Sequence, residues 1–175
     1  MLETLRNAFK IKDLRKRIGF TFLMLIVVRI GSQLPIPGVD PDVFSQLFAN
    51  NGDALNFFDA ITGGSFENMS IFALNITPYI TSSIIIQLLT IAFPKLEEMQ
   101  RDGEQGRKKI TQITRYVTVG LAIIQSVAMA IGFGRSGYLT EFNALYVIMT
   151  VAALTAGSSV LMWIGERITE KGIGN

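Results

Sequence analysis

The chain has 175 residues, of which 49% are hydrophobic and 17% charged, and its formal net charge is +2. It contains no cysteine and no histidine, which excludes disulfides, thiolate or imidazole metal sites and the usual nucleophile and base pairs of hydrolytic enzymes. The charges cluster in blocks between long charge-poor runs, so the expected class is an all-α polytopic membrane helix bundle with room for about four crossings.

In chain order, Leu2, Leu5, Phe9 and Leu14 alternate with Arg6, Lys10, Lys12, Arg15, Lys16 and Arg17. Such a basic amphipathic segment either lies in the headgroup plane or acts as a charged collar that fixes orientation. An apolar run from Ile18 to Val28 follows, with no small-residue cleavage site before the Leu34-Pro35 turn, and predicts a retained first span over Ile18 to Leu34 rather than a cleaved signal. Arg29 sits inside it. An intramembrane arginine is costly, and the expectation is that it snorkels to the outer interface or pairs with a neighbouring span, the alternative being an ion or substrate contact.

From Ser32 to Ser70 there is no Lys or Arg, only Asp40, Asp42, Asp53, Asp59 and Glu67. The segment is expected to lie outside, because basic residues concentrate before the first span and after the second, with Lys95, Arg101, Arg107, Lys108, Lys109 and Arg115. It opens with Leu34-Pro35-Ile36-Pro37-Gly38, a rigid helix exit. Ala54 to Phe66 mixes aromatics with a Gly63-Gly64 joint and is too apolar to float in water yet too short to span. Two readings stay open: a re-entrant piece feeding a half-helix from about Ser65 towards Asn75, or an interfacial helix whose phenylalanines rest in the headgroups.

The second span, Ile71 to Phe93, is interrupted near its start by Asn75, Thr77 and Pro78. Proline removes a backbone donor and clashes with the preceding turn, so a helix entering from Ser70 should kink or stop near Thr77 and restart behind Pro78. A broken helix at membrane depth points to a pathway rather than to lipid-facing packing. Beyond the break, Ile76, Ile80, Ile84 and Leu88 recur every four residues, while Thr81, Ser82 and Ser83 lie on other faces that permit close helix approach. Stiff β-branched side chains one turn apart suit a dry constriction, although most such stripes are packing surface. Gly103-Glu104-Gln105-Gly106 lacks the spacing of a phosphate-binding loop and is expected to form a cytoplasmic hairpin. Spans three and four are expected over Tyr116 to Phe133 and Phe142 to Ile164, with Gln87, Gln125 and Ser126 as mid-span interhelical hydrogen-bonding groups and both chain ends inside. No intramembrane carboxylate pair is present to act as acid and base. A secondary transporter with a discontinuous helix, or a membrane scaffold segment, are the rival readings.

Three runs then carry a resemblance: Ser70 to Leu89 (SIFALNITPYITSSIIIQLL), Gly103 to Tyr116 (GEQGRKKITQITRY) and Gly165 to Asn175 (GERITEKGIGN). Together with Arg29-Ile30-Gly31 and Pro35-Ile36-Pro37-Gly38 they are similar to the SecY family, central subunits of the bacterial Sec protein-conducting channel. The resemblance implies a ten-span fold of two inverted five-span halves, of which residues 1–175 would be the N-terminal half-domain, ending ahead of the fifth span. It implies a plug over about residues 58–72, with Phe58, Ile61, Gly63, Gly64, Phe66 and Met69, and so favours re-entry. Ile80 and Ile84 would belong to an isoleucine pore ring; Ile85, Gln87, Leu88 and Gln125 would belong to the lateral gate, with Asn75 and Pro78 at the helix break. Implied partners are the remaining half of SecY, SecE and SecG, SecA or the ribosome, signal sequences and translocating polypeptides, and membrane lipid, with no cofactor and no specific nucleic acid apart from the ribosome. The implied location is the bacterial plasma membrane, and no enzymatic activity is expected of the subunit itself.

Overall fold

The computed structural model describes residues 1–51, 53–137 and 141–174, and within them the chain is helical with one isolated antiparallel bridge, Pro35 to Ser70. Helix α1 (Leu2–Lys10) is short and buries none of its residues. Ile11 turns extended, at φ −79° and ψ 115°, and separates α1 from α2 (Lys12–Gly31). Helix α2 therefore starts six residues before the expected first span and ends three before its limit. Lysines and arginines are good helix formers and continue the apolar helix towards its N-terminus. At the other end Ser32 Oγ bonds the Arg29 carbonyl and a turn carries the chain to Pro35.

Helices α3 (Pro41–Asn51) and α4 (Asp53–Thr62) follow, and then residues 63–76 run as consecutive turns until α5 (Thr77–Ala92) begins. This corrects two expectations. The half-helix from Ser65 towards Asn75 does not form, and the segment expected as a plug, about 58–72, is helical only through Thr62. The helix after the break also starts at Thr77, one residue before Pro78 instead of behind it. The reasons are local. Gly63 and Gly64 take positive φ (67° and 81°), and Met69 and Asn75 are left-handed at 43° and 54°, so no helical run survives between them. Pro78 falls within the first turn, where its missing N–H costs nothing.

Helix α6 (Pro94–Arg101) leaves α5 at a 103° bend. It forms a hairpin with α7 (Gly103–Arg135), and a β-carbon on Gly106 would collide with the Met99 carbonyl, so the hairpin closes only around glycine. The expected hairpin thus turns at Asp102 and Gly103, while Glu104, Gln105 and Gly106 already belong to α7. Helix α8 (Ala144–Lys171) starts from an Asn143 cap whose side chain accepts the Ala144 N–H. Among the described residues α7 and α8 are each long and apolar enough to cross a membrane, and α5 with α6 qualifies only as a bent pair. The expected third span lies inside α7; the fourth begins two residues before α8 and otherwise lies in it; the first lies in α2 through Gly31, and the opening turns of α2 carry Lys12, Asp13, Arg15, Lys16 and Arg17.

Helices α7 and α8 pack antiparallel, with α5 against α7 and α2 against α8. The core gathers at one end, where Ile36, Val39, Met69, Ala73 and Leu154 are buried together and Phe66, Phe133 and Met129 pack against them. Nearby, the buried Phe72 ring lies directly on Gly31, which has no room for a β-carbon. Burying such a ring contributes about 2–3 kcal/mol.

Candidate functional site

Helix α5 has two faces of opposite character. Pro78, Ser82, Ile86 and Thr90, four residues apart, are buried. Half a turn away, Ile80, Ile84 and Leu88 are exposed at 50%, 52% and 61%. Ser82, on the buried face, is small and polar where that face approaches α7 closely. Ser82 Oγ lies 2.5 Å from Thr118 Oγ1, which also donates to the Thr114 carbonyl at 2.6 Å. Along α7 the matching stripe is Thr114, Thr118, Ala122, Ser126, Ala130 and Gly134, all buried and four apart. Small residues let helix backbones approach where lipid offers no hydrophobic drive to association. On its other side this stripe meets α8, where Ser126 Oγ reaches Thr155 Oγ1 at 3.4 Å.

An ion pair fixes the same helices near the opposite end. Arg115 Nε and Nη2 each donate to a Glu166 carboxylate oxygen at 2.8 Å, a bidentate clamp between α7 and α8. The Glu166 hydrogen bond is the main cause that raises the Arg115 guanidinium above its ordinary value, and partial burial opposes it. The clamp forms one wall of a polar groove of about 550 Å³ that Tyr79, Arg167 and Glu170 also line.

The turns before α5 are held by α8. Ser158 Oγ donates to the Asn75 carbonyl at 3.2 Å, and a β-carbon on Gly157 would collide with the Ile71 carbonyl. The left-handed Asn75 reverses the chain there, with its own N–H on the Phe72 carbonyl at 2.8 Å. Asparagine is the non-glycine residue that best tolerates that conformation. Pro78, next in line, is buried at the start of α5.

Several of the residues singled out from sequence come together. Phe58 on α4 and Phe66 in the turns pack edge to face at 6.1 Å, and Phe66 meets Phe133 of α7 at 6.3 Å. These two phenylalanines share a groove of about 480 Å³ with Leu74, Thr77 and Gln125, so the aromatic segment and the third-span glutamine line one cavity. Met69 is buried in the core and its carbonyl accepts the Ile36 N–H at 3.0 Å. Ile61 is exposed, and Gly63 and Gly64 form the joint after α4. Ile85, Gln87 and Leu88 are exposed on α5. Gln87 and Gln125 are not neighbours: Gln125 lies beside Thr77, ten residues from Gln87 and so about 15 Å along the helix axis. Arg29 pairs with the Gly63 carbonyl, which fits the expectation of a neighbouring partner but places that partner in the turns after α4 rather than in a span.

Sequence reasoning missed the Arg115 to Glu166 clamp, because nothing in either run signals that residues 51 apart meet. The four-residue repeat of small residues in α7 was available as a signal. Among the described residues no cluster of three or more Asp or Glu side chains is arranged to hold a metal.

Comparison with known proteins matches this arrangement to one family. The SecY family profile matches residues 70–175. The chain is 45% identical to the protein translocase subunit SecY of Pseudomonas aeruginosa, over 94% of this chain and 38% of that protein. Identity to the SecY of Porphyra purpurea is 49%, over 93% of this chain and 39% of the relative, and to that of Halalkalibacterium halodurans 43%, over 100% and 41%. The chain thus spans about two fifths of the length of the curated relatives it matches. With its apolar helices, its broken second element and this similarity over nearly its whole length, the chain is a membrane protein that belongs to the SecY family.

Proposed function

We propose that this chain supplies the N-terminal half-domain of a channel that passes unfolded secretory polypeptides across the bacterial plasma membrane and releases hydrophobic segments into it. The observation that carries the reading is the asymmetry of α5. One face, with Pro78, Ser82, Ile86 and Thr90, is buried, Ser82 against Thr118 of α7, and the face with Ile80 and Ile84 stays open. Apolar, stiff side chains there close around a moving chain without bonding to it, which limits ion leak and tolerates any sequence. Ile85, Gln87 and Leu88 flank that face at the lateral gate. Gln125 takes part in the gate through the cavity it shares with Phe58 and Phe66.

Helix α4 and the turns through Phe72 form the plug. Its support is that the turns after α4, with Phe66 and Met69, fold back onto the bundle core and that Phe66 carries Phe58 of α4 with it. Read as four spans, with α2 as the first, the chain keeps its basic ends and the α6–α7 hairpin on the cytoplasmic side, a reading supported by the positive-inside rule. A half-domain of this kind works with the rest of the SecY length, with SecE and SecG, and with SecA or a ribosome as the source of energy. The subunit itself performs no covalent chemistry.

Crosslinking from Ile80 and Ile84 to a stalled secretory polypeptide, in a full-length SecY carrying this sequence, tests the reading. Adducts at both positions place the open face on the path. Adducts only to neighbouring helices or lipid refute it.

A further inference from the structure

We infer that Arg29 is a positioning residue that latches the end of α4 to α2, and that withdrawing it frees the α4 end of the segment while the Ser70 end stays bound. The inference deepens the plug reading and takes its functional meaning from it.

Arg29 stands in the last turn of α2 and donates from Nη1 to the carbonyl of Gly63. That carbonyl sits just beyond a complete helix-ending motif. The Gly63 N–H bonds the Ala60 carbonyl at 3.3 Å and the Gly64 N–H bonds the Asp59 carbonyl at 3.1 Å, with Gly63 at φ 67°. These are the paired bonds of a Schellman cap, which satisfies two of the last carbonyls of α4 and leaves Gly63 facing out of the helix. The end of a helix carries partial negative charge, so a guanidinium there is attracted both by the local carbonyl and by the summed peptide dipoles. A β-carbon on Gly63 would stand 3.0 Å from Nη1, so glycine also keeps the approach open.

The other end of the segment is held quite differently. Met69 accepts the Ile36 N–H at 3.0 Å and Leu34 accepts the Ile71 N–H at 3.1 Å, a two-bond backbone bridge whose Ile36 and Met69 are each 1% exposed. Releasing it means unpacking the core. Releasing Arg29 means moving one exposed side chain. Glu67 N–H to Asp59 Oδ1 at 2.9 Å and the Phe58 to Phe66 contact join α4 to the turns that follow it, and Phe66 also packs on Phe133 of α7, so the firm end reaches back to Phe66 and α4 pivots on the Gly63-Gly64 joint. The two attachments to α2 and its exit thus differ, one firm and one releasable.

The test uses full-length, cysteine-free SecY carrying this sequence, reconstituted in lipid vesicles. Nitroxides on Ile30→Cys and Ile61→Cys, both exposed side chains, report the α2 to α4 distance. A second pair, Ile30→Cys with Ile123→Cys, reports the bundle. Arg29→Gln should raise the ratio of displaced to docked α4 about tenfold or more, the usual effect of losing a charge-assisted hydrogen bond. Arg29→Lys should restore most of the docked population, and the second pair should not change in either variant. If Arg29→Gln fails to assemble, the comparison of Arg29→Lys with the parent carries the test, with an intermediate displacement expected. An unchanged α2 to α4 distance in the variants overturns the latch, and so does a Lys variant as displaced as the Gln variant. Ion leak is read separately: displacement without leak keeps the latch and removes the plug reading.

Discussion

The same substitution should have opposite effects at two glycines on neighbouring helices. Gly120, in α7, has nothing within 4 Å of the place a β-carbon would occupy, whereas the same atom on Gly157 in α8 would collide with the carbonyl of Ile71. Glycine in a helix interior is about 0.5–1 kcal/mol less favourable than alanine, so Gly120→Ala should stabilise by roughly that amount. At Gly157 the same gain is offset by overpacking against backbone that no rotamer change can relieve, at about 1–3 kcal/mol. The displaced turns would also strain the neighbouring Ser158 Oγ to Asn75 carbonyl bond, a further contribution of about 1 kcal/mol. The net expectation is a loss of about 1–3 kcal/mol for Gly157→Ala, and a gap between the variants of about 2 kcal/mol or more. Reversible unfolding in mixed micelles, followed by far-UV circular dichroism and by the fluorescence of Trp163, the sole tryptophan of the chain, measures both. A Gly157→Ala protein as stable as the parent would refute the claim that α8 grips the turns before α5 by backbone contact.

Three other perturbations have definite outcomes. Ser82→Ala and Thr118→Val should couple in a double-mutant cycle by about 0.6 kcal/mol, typical of hydroxyl pairs in membrane bundles, because Thr118 keeps its bond to the Thr114 carbonyl when Ser82 is removed. Phe66→Ala removes the ring that joins Phe58 to Phe133, and should cost about 2–4 kcal/mol in the same unfolding assay; a change within 0.5 kcal/mol would deny it that bridging role. Ile84→Asn, on the open face, should leave stability within about 0.5 kcal/mol of the parent. In the assembled channel it should raise ion conductance across reconstituted vesicles, and unchanged conductance would count against the gasket.

The helical class, the blocks of basic charge and the interruption at Asn75 to Pro78 were legible because each is a local property. An apolar run of span length, a proline and a missing lysine mean the same thing whatever they touch. The isoleucine repeat was equally plain, since four-residue spacing puts Ile80, Ile84 and Leu88 on one face of any helix. Periodicity could not tell whether that face packs or stays open. The answer came from the opposite side, where Pro78, Ser82, Ile86 and Thr90 are buried while Ile80, Ile84 and Leu88 stay exposed.

The turns from Gly63 to Ile76 show the other limit. Their sequence is apolar enough for a half-helix, and only the tertiary structure set left-handed Met69 and Asn75 between a bridge to Pro35 and a grip from Ser158. Strain of that kind persists when surrounding contacts outweigh it, and those contacts come from residues tens of positions away. The same holds for Arg29 and for the Arg115 to Glu166 clamp. The sequence by itself determined where the long apolar helices lie and that no helix runs through Asn75, because helix formation and hydrophobic transfer are decided within a few residues. Only the tertiary structure decided which face of α5 is left open and what holds α4 in place, because those depend on contacts whose partners no local pattern specifies.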